Sequence, residues 1–353
     1  MNEILNLTTE RVDDIPLLIG LLIRVNLPVI IDRHIEAHGN HKGLSNGWLI
    51  TIWLTYILSA GDHRKSHVRD WCRKHKHTLE LLIGQSIRDV DFTDDRLGAV
   101  LTRLSVTETW EAIEADVWLD TTRVYSIEAS GIRLDSTSSY GYHQVNENGL
   151  MQFGHSWDHR PDLPQFKLMA AVTEPDGLLI ASDLHPGQCA DDPLYLPLID
   201  RVRKIMNRTG LLYTGDSKMA AIATRAALVY GQDCYLVPLP QTGVTPEFFN
   251  NCVSQVTDGN RTVEVIYNSN GLFGSGCEFT RRMFAVAEDE EVEWTERVLL
   301  VRSRAMAFRD AQTLERDLQK AEKAIQKQTP PRGRGKRQFA EKAALQEAVE
   351  KIL

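Results

Sequence analysis

Two segments decide how this chain is read: Gly131-Ile-Arg-Leu-Asp-Ser-Thr-Ser138 and Leu211-Leu-Tyr-Thr-Gly-Asp-Ser-Lys218. Each contains a short apolar run that ends on an aspartate followed by a small hydroxyl residue. In an α/β fold such an aspartate sits at the carboxyl end of a buried strand, where sites form. If the two strands lie side by side, Asp135 and Asp216 meet despite their distance in sequence. Paired carboxylates are hard oxygen ligands, suited to Mg2+ or Mn2+. Two bridged metals can activate an attacking oxygen and stabilise a leaving one in phosphodiester chemistry.

Working outward, the period changes from helical to strand-like at Val117, and Val124–Ile127 and Gly131–Ser136 read as strands. Gln165–Thr173 is a further strand, turned at Glu174-Pro-Asp-Gly177, and Leu178–Asp183 returns antiparallel to it. Asp191-Asp192-Pro193 then predicts a capped helix to about Met206, with the proline suited to its first turn. Leu211–Thr214 is the next strand, Lys218–Tyr230 an Ala-rich helix, and Cys234–Pro238 a last strand. From Gly131 the order is βββαβαβ, that of the RNase-H-like core, in which the first and fourth strands are neighbours near the sheet centre. Asp120, in Trp118-Leu-Asp-Thr-Thr122, is a rival first carboxylate because it too precedes hydroxyl residues.

Upstream, residues from about 10 to 118 read as helical. Ile15–Ile31 is rich in Leu and Ile and interrupted by Pro28, while Leu44–Ala60 ends at Gly61, a natural helix stop. Thr93 or Asp94 opens a helix with Leu97, Val100, Leu101 and Leu104 on one face, and Val106–Ala115 follows as a short helix. Between them, residues 62–77 hold six Lys or Arg (Arg64, Lys65, Arg69, Arg73, Lys74 and Lys76), four His and two Asp. On a small helical domain these six cations are candidate contacts to the phosphates of duplex DNA; the competing reading is a solvated helix face. His34 and His38, with His41 nearby, have a spacing that can hold a metal on a helix, although Gly39 and Gly43 point to a loop with surface histidines.

Downstream, Thr262–Tyr267, Met283–Ala287 and Val298–Val301 predict a β-rich segment. Arg309–Gln328 is a charged helix, Pro330–Arg337 a breaker and basic linker, and Ala340–Leu353 begins one more helix. The implied divisions are a helical domain over 1–118, a catalytic core over 119–241, a β-rich insertion over 242–308, and 309–353 beyond it. The 353 residues suffice for such a multi-part α/β protein, and the net charge of −8 does not by itself advertise a polyanion partner. The five scattered cysteines contain no C-x-x-C, which argues against a zinc ribbon or a disulfide framework. No apolar run reaches the roughly 18–20 residues that span a bilayer, and the start lacks a basic, cleavable signal. The expectation is a cytoplasmic protein with no membrane partner.

Several motifs together resemble bacterial and archaeal insertion-sequence transposases of the DDE class, in the subgroup with a β-rich insertion before the final Glu. They are Leu134-Asp-Ser-Thr-Ser138 with Tyr140-Gly141, then Gly154-His-Ser-Trp-Asp-His-Arg-Pro-Asp-Leu-Pro-Gln165, the loop from His185-Pro-Gly187 to Asp191, and the strand ending Thr214-Gly-Asp-Ser217. Trp294-Thr-Glu-Arg297 onward and the helical N-terminal region fit the same group. The resemblance implies an RNase-H-like mixed sheet with a helical N-terminal domain and a β-rich insertion. It implies Asp135 and Asp216 as catalytic metal ligands, Mg2+ or Mn2+ as cofactor, and double-stranded DNA as partner, both element ends and target. A homodimer and a prokaryotic, nucleoid-associated setting are compatible with it. Asp158, Arg160 and Asp162 are assigned no chemistry. The family also carries a Glu in a Tyr-x2-Arg-x3-Glu-x6-Lys helix. Here no Tyr follows Tyr267, and Arg337 and Glu341 have the Arg-to-Glu spacing but with Arg334 and Ala348 at the other positions. Glu315 and Glu322 sit in a solvated charge pattern. The expectation is a transposase that stops short of its third carboxylate and is weak or inactive; the alternatives are a DNA-binding remnant or another RNase-H-like nuclease.

Overall fold

The computed structural model describes residues 9–36, 42–155, 159–240, 242, 245–269, 271–331, 333 and 339–352. It is a mixed α/β structure: a helical region leads into a mixed five-stranded sheet, and a second sheet of three strands follows. Two compact units emerge, Met1–Pro240 with Val286–Val292, and Gln241–Ala285 with Glu293–Leu353.

The first unit begins with α1 (Ile15–Arg24), α2 (Leu27–His34) and α3 (Asn46–Ala60). The break between α1 and α2 falls at Val25-Asn26, where Asn26 is left-handed, and not at Pro28. Pro28 sits in the first turn of α2, where its missing N–H is no loss. Helix α3 starts at Ser45, whose hydroxyl accepts from the Trp48 amide at 3.3 Å, and stops at Gly61 with φ +61°. Such an N-cap contributes about 1 kcal/mol. Its Leu49, Ile52, Trp53 and Tyr56 form the centre of the helical core with Ile15, Val68, Leu79 and Leu97. Gly47 allows the closest helix crossing: a Cβ there would lie 1.9 Å from the Pro28 carbonyl oxygen, and its amide donates to Asp32 Oδ1 at 2.7 Å.

Helices α4 (Val68–Lys74), α5 (Lys76–Ile83) and α6 (Asp94–Leu104) complete this layer. Leu97 and Val100 of α6 are buried, whereas Leu101 lies outside the buried face. The next helix, α7, runs from Thr107 to Tyr125. The expected strand at Val124–Ile127 is therefore helix and helix cap, and the division expected at 118/119 falls inside α7. Ile113, Glu114 and Trp118 supply a buried helical face that outweighs the β-branched Val117, Thr121, Thr122 and Val124. A left-handed Ser126 ends the helix.

The five-stranded sheet contains β1 (Gly131–Tyr140), β2 (Gln165–Glu174), β3 (Leu179–Pro186), β4 (Leu212–Thr214) and β5 (Cys234–Leu236), in the order β3-β2-β1-β4-β5. The first three form an antiparallel meander, and β4 and β5 run parallel to β1. Helix α8 (Tyr195–Met206) and helix α9 (Ile222–Tyr230) flank β4 in sequence. Ile132, Leu134, Met169, Ala171, Leu198, Val202 and Tyr213 share the core of this sheet. The start of β4 is fixed by buried Asp233, which accepts from the Leu211 amide at 3.0 Å and from Arg203 Nε at 2.8 Å.

A buried network joins α7 to the sheet. Glu114 accepts from the Ser182 amide at 3.1 Å and from the Ser182 hydroxyl, and Arg201 of α8 pairs with both Glu114 and Asp183. Burial pushes the Glu114 carboxyl up, against the opposing pull of Ser182 and Arg201.

The second unit holds α10 (Thr245–Thr257), β6 (Glu264–Asn268), most of β7 (Gly271–Ala287) and of β8 (Glu290–Ser303), α11 (Arg304–Gln328) and α12 (Lys342–Glu350). The three strands lie in sequence order. Arg281 of β7 stacks 5.1 Å from the Phe248 ring of α10 and pairs with Glu296 of β8 at 2.5 Å. Helix α10 was not anticipated. Helix α11 has no buried residue, and both Glu315 and Glu322 are exposed on it.

Candidate functional site

Strand β1 runs on to Tyr140, so Asp135 lies in its middle and not at the expected carboxyl end, because the antiparallel pairing with β2 continues past it. The parallel β1–β4 pairing joins this strand to the second segment. Gly131, Ile132 and Arg133 are opposite Leu212, Tyr213 and Thr214. The same offset, carried past the end of β4, matches Asp135 with Asp216. Gly215 permits this departure from the strand. A Cβ there would lie 2.5 Å from Met219 Sδ and 3.3 Å from the Leu134 carbonyl oxygen.

The two carboxylates are held differently. Asp135 is exposed and accepts from the Ser136 amide at 2.8 Å. Asp216 is half-buried, and three donors converge on its Oδ1: the Tyr195 hydroxyl at 2.7 Å, the Lys218 amide at 2.9 Å and the Met219 amide at 3.4 Å. No donor reaches its Oδ2 among the described residues. Tyr195 itself is buried, and its hydroxyl is kept protonated by that burial, by the bond to Asp216, and by the negative charge of Asp216, Asp135 and Asp191.

As expected, Asp191 stands at the N-cap of a helical run with Pro193 in its first turn: a 3-10 turn, Asp192–Leu194, leads directly into α8, which ends at Met206. The Asp191 carboxylate makes no capping bond and instead pairs with the buried Lys167 of β2 at 2.6 Å. The register places Lys167 opposite Ser138 of β1 and His185 of β3. Tyr195 thus borders the carboxylates, Asp191 lies close enough to act on it, and Lys167 neutralises Asp191; none of the three was read as a site residue. The only sequence signal was an inward-facing Lys in the alternating strand Gln165–Glu174, a charge where the pattern calls for an apolar residue.

The described residues of the long motif, Gly154, His155 and 159–165, include a brace; residues 156–158 lie outside the described residues. Gln165 donates through Nε2 to the His155 carbonyl at 2.6 Å, and its backbone exchanges two 2.9 Å bonds with Gln152. A Cβ on Gly154 would lie 2.1 Å from the Gly187 carbonyl oxygen, and one on Gly187 would lie 2.2 Å from that of Gln165. Two glycines therefore let the β1–β2 loop and the turn after β3 touch backbone to backbone. Arg160 forms a two-pronged pair with Asp162, both bonds 2.9 Å, and stands 5.6 Å over the Tyr140 ring. Asp158 lies outside the described residues.

Asp120 is not a strand-end carboxylate. It sits within α7, where it accepts from Asn26 Nδ2 at 3.1 Å and pairs with Arg123 at 2.8 Å. His34 bonds Asp116 at 2.8 Å, while His38 and His41 lie outside the described residues. Among the described residues no group of three or more His, Cys, Asp or Glu side chains is arranged to hold a metal ion.

Residues 7–115 match a family model described as a domain of unknown function, DUF4277. No curated protein matches the chain. Among solved structures it is similar to a piggyBac transposase synaptic complex with hairpin DNA, at 13% identity and a TM-score of 0.34, over 74% of this chain. This chain covers 57% of the piggyBac chain. A Mos1 transposase paired-end complex with the left transposon end matches at 10% identity and a TM-score of 0.22, over 71% of this chain and 85% of that one. Endonuclease V of Ciona intestinalis, bound to DNA containing an inosine, matches at 10% identity and a TM-score of 0.19, over 52% and 77% of the two chains.

The basic stretch lies within the region matched by that family model. Arg64 precedes a 3-10 turn that holds Lys65; Arg69, Arg73 and Lys74 are on α4, and Lys76 opens α5. Four of the six have acidic partners. Arg64 pairs with Asp62 at 2.9 Å, Lys65 with Asp94 at 3.0 Å, Arg73 with Asp89 at 2.9 Å and Asp70 at 3.2 Å, and Lys76 with Glu80 at 3.8 Å. The Arg64 hydrogen bonds hold Asp62 well below the usual carboxylate range. Arg69 and Lys74 are exposed and form no direct ion pair among the described residues, although the charge of Arg69 reaches Asp89. No single helix among the described residues is long and apolar enough to cross a membrane.

Proposed function

We propose that this chain is a metal-dependent DNA transposase of the DDE class with an RNase-H-like core, in which Asp135 and Asp216 hold Mg2+ or Mn2+. The observation that supports this reading is the parallel β1–β4 register at the centre of a mixed sheet, whose offset, carried on, sets Asp135 in the middle of β1 against Asp216 just past the end of β4. The donor set fits a hard divalent cation. Both ligands are carboxylates, and the saturated Oδ1 of Asp216 leaves Oδ2 for coordination. Two protein carboxylates suit Mg2+, which keeps several of its waters. When bound, such a cation activates an attacking oxygen and steadies the leaving one in phosphodiester cleavage and strand transfer.

The chain's own groups have separable tasks in this reading. Asp135, exposed, and Asp216, half-buried, orient the cation. Lys167 offsets the charge of Asp191 beside them, which limits repulsion within an acidic patch. The helical region is the proposed grip on duplex DNA, with Arg69 and Lys74 able to meet phosphates directly. Arg64, Lys65, Arg73 and Lys76 must exchange an acidic partner for a phosphate, a small cost for exposed pairs.

One observation favours a second reading, a DNA-binding protein without turnover: no group of three or more candidate ligands forms among the described residues. A misplaced or missing ligand costs on the order of 100-fold in rate. Mn2+ binding and DNA cleavage therefore need separate measurement. Titration of Mn2+ should show binding that disappears in Asp135→Ala and Asp216→Ala, and linear duplex carrying element ends should be nicked only with Mg2+ or Mn2+. Binding of duplex with intact Mn2+ affinity but no nicking selects the second reading. Absence of Mn2+ binding rejects the cation site. Cleavage of RNA–DNA hybrid with no preference for element ends would instead mark a different nuclease.

A further inference from the structure

Tyr195 has a hydroxyl that packing does not require. Its ring belongs to the core that includes Ile132, Leu134, Leu198 and Met219, and the residue is 0% exposed. A phenylalanine fills the same space. A hydroxyl in such a place costs free energy unless it is bonded, and its partner is Asp216 Oδ1 at 2.7 Å. Tyr213, in the same core, is the counter-example: it is equally buried, and its hydroxyl has no hydrogen-bond partner.

We propose that Tyr195 is a positioning residue for the cation site, fixing the rotation of the Asp216 carboxylate so that Oδ2 stays available to the metal. This rests on the reading of Asp135 and Asp216 as metal ligands. A carboxylate at a strand end turns about its last torsion, and a cation must stop that rotation. The Lys218 and Met219 amides approach Oδ1 along the chain that leaves the strand, while Tyr195 approaches from α8, a separate element anchored in the core. Three donors from two directions define a plane for the carboxylate that two donors from one turn do not. Groups that orient a metal ligand in this way typically change metal affinity 10–100-fold when removed, as an order of magnitude.

The experiment is Mn2+ titration of the full chain, read by the electron paramagnetic resonance signal of free Mn2+, with thermal unfolding as a control. Tyr195→Phe is expected to melt close to wild type and to bind Mn2+ about 10-fold more weakly or worse, while Tyr213→Phe binds as wild type. Tyr195→Met, a second variant without the hydroxyl, guards against a folding failure of the first. Wild-type affinity in either folded Tyr195 variant overturns the proposal, and so does an equal loss in Tyr213→Phe. Should wild type fail to bind, or binding survive Asp135→Ala and Asp216→Ala, the metal-ligand reading falls and this inference with it. Loss in the aspartate variants with none in Tyr195→Phe leaves the reading standing and removes only Tyr195.

Discussion

The centre of the sheet and the basic stretch of the helical region were both conspicuous in sequence, and the fold treats them in opposite ways. At the sheet centre, a parallel register joins the two segments that carry the aspartates, and no cation from the chain pairs with either carboxylate among the described residues. In the helical region, six cations close in sequence mostly find acids close in space. Strand pairing is set by the whole meander and cannot be undone by one side chain. Surface charge is settled locally by whichever carboxylate is within reach. A pattern written in the backbone is thus a firmer guide to a site than a count of charges.

The largest effect that breaks this comparison is removal of either of the two carboxylates. Asp135→Ala or Asp216→Ala should abolish Mn2+ binding while far-ultraviolet circular dichroism stays at the wild-type level. Next comes a buried charge inside the helical region. Asp91 is fully buried and is bonded by Arg88 at 2.9 Å and also by Arg96. Burial works to raise its carboxyl, yet Arg88 and Arg96 outweigh it and hold the group below its ordinary 3.8. A depressed folded value means stability that is present above the unfolded value and lost as pH falls through the folded one. Asp91→Asn should cost about 3–5 kcal/mol and flatten the acid side of a melting-temperature profile below about pH 4.

A smaller effect is expected at the brace. Gly154→Ala forces a methyl into the Gly187 carbonyl, so chemical denaturation should show a loss of about 1–3 kcal/mol. If the brace serves the site, Mn2+ affinity falls as well; unchanged affinity would confine it to folding. The smallest effect sharpens the other side of the comparison. Changing Arg69 and Lys74 together to Ala should reduce the slope of log affinity for duplex against log salt by about 1.8, at roughly 0.9 per phosphate contact. Arg64→Ala and Arg73→Ala should change it less. Equal slopes from the two pairs, measured by fluorescence anisotropy, would show that the acid partners release their cations on DNA.

The strands of the first sheet, the helix stop at Gly61 and the meeting of the two aspartate segments were legible, because each depends on local pattern or on an order of elements with few solutions. Helix α7 was misread past Val117, since β-branched residues suggest strand when their burial is unknown. Helix α10 was missed although Pro246, Glu247, Phe249, Cys252 and Val256 show a helix start and a helical spacing. Tyr195 was illegible for another reason: it is remote in sequence from the carboxylate it bonds, and only tertiary packing makes it a polar neighbour as well as core. Lys167 did leave a signal, a charge at an inward position of an alternating strand, but its partner Asp191 could not be read from that.

The parallel joining of β1 to β4 also has a consequence for how the protein folds. No hairpin can form that pairing, because the β2–β3 meander and α8 lie between its two strands. Closing so long a stretch of chain is entropically unfavourable until intervening contacts form, and such distant pairings slow folding. The two aspartates then come together late, after the meander and helix have docked. On the proposed reading, a divalent cation offered to the refolding chain would find its ligands only at that closing step, so the moment of capture would serve as a clock for the last event of folding.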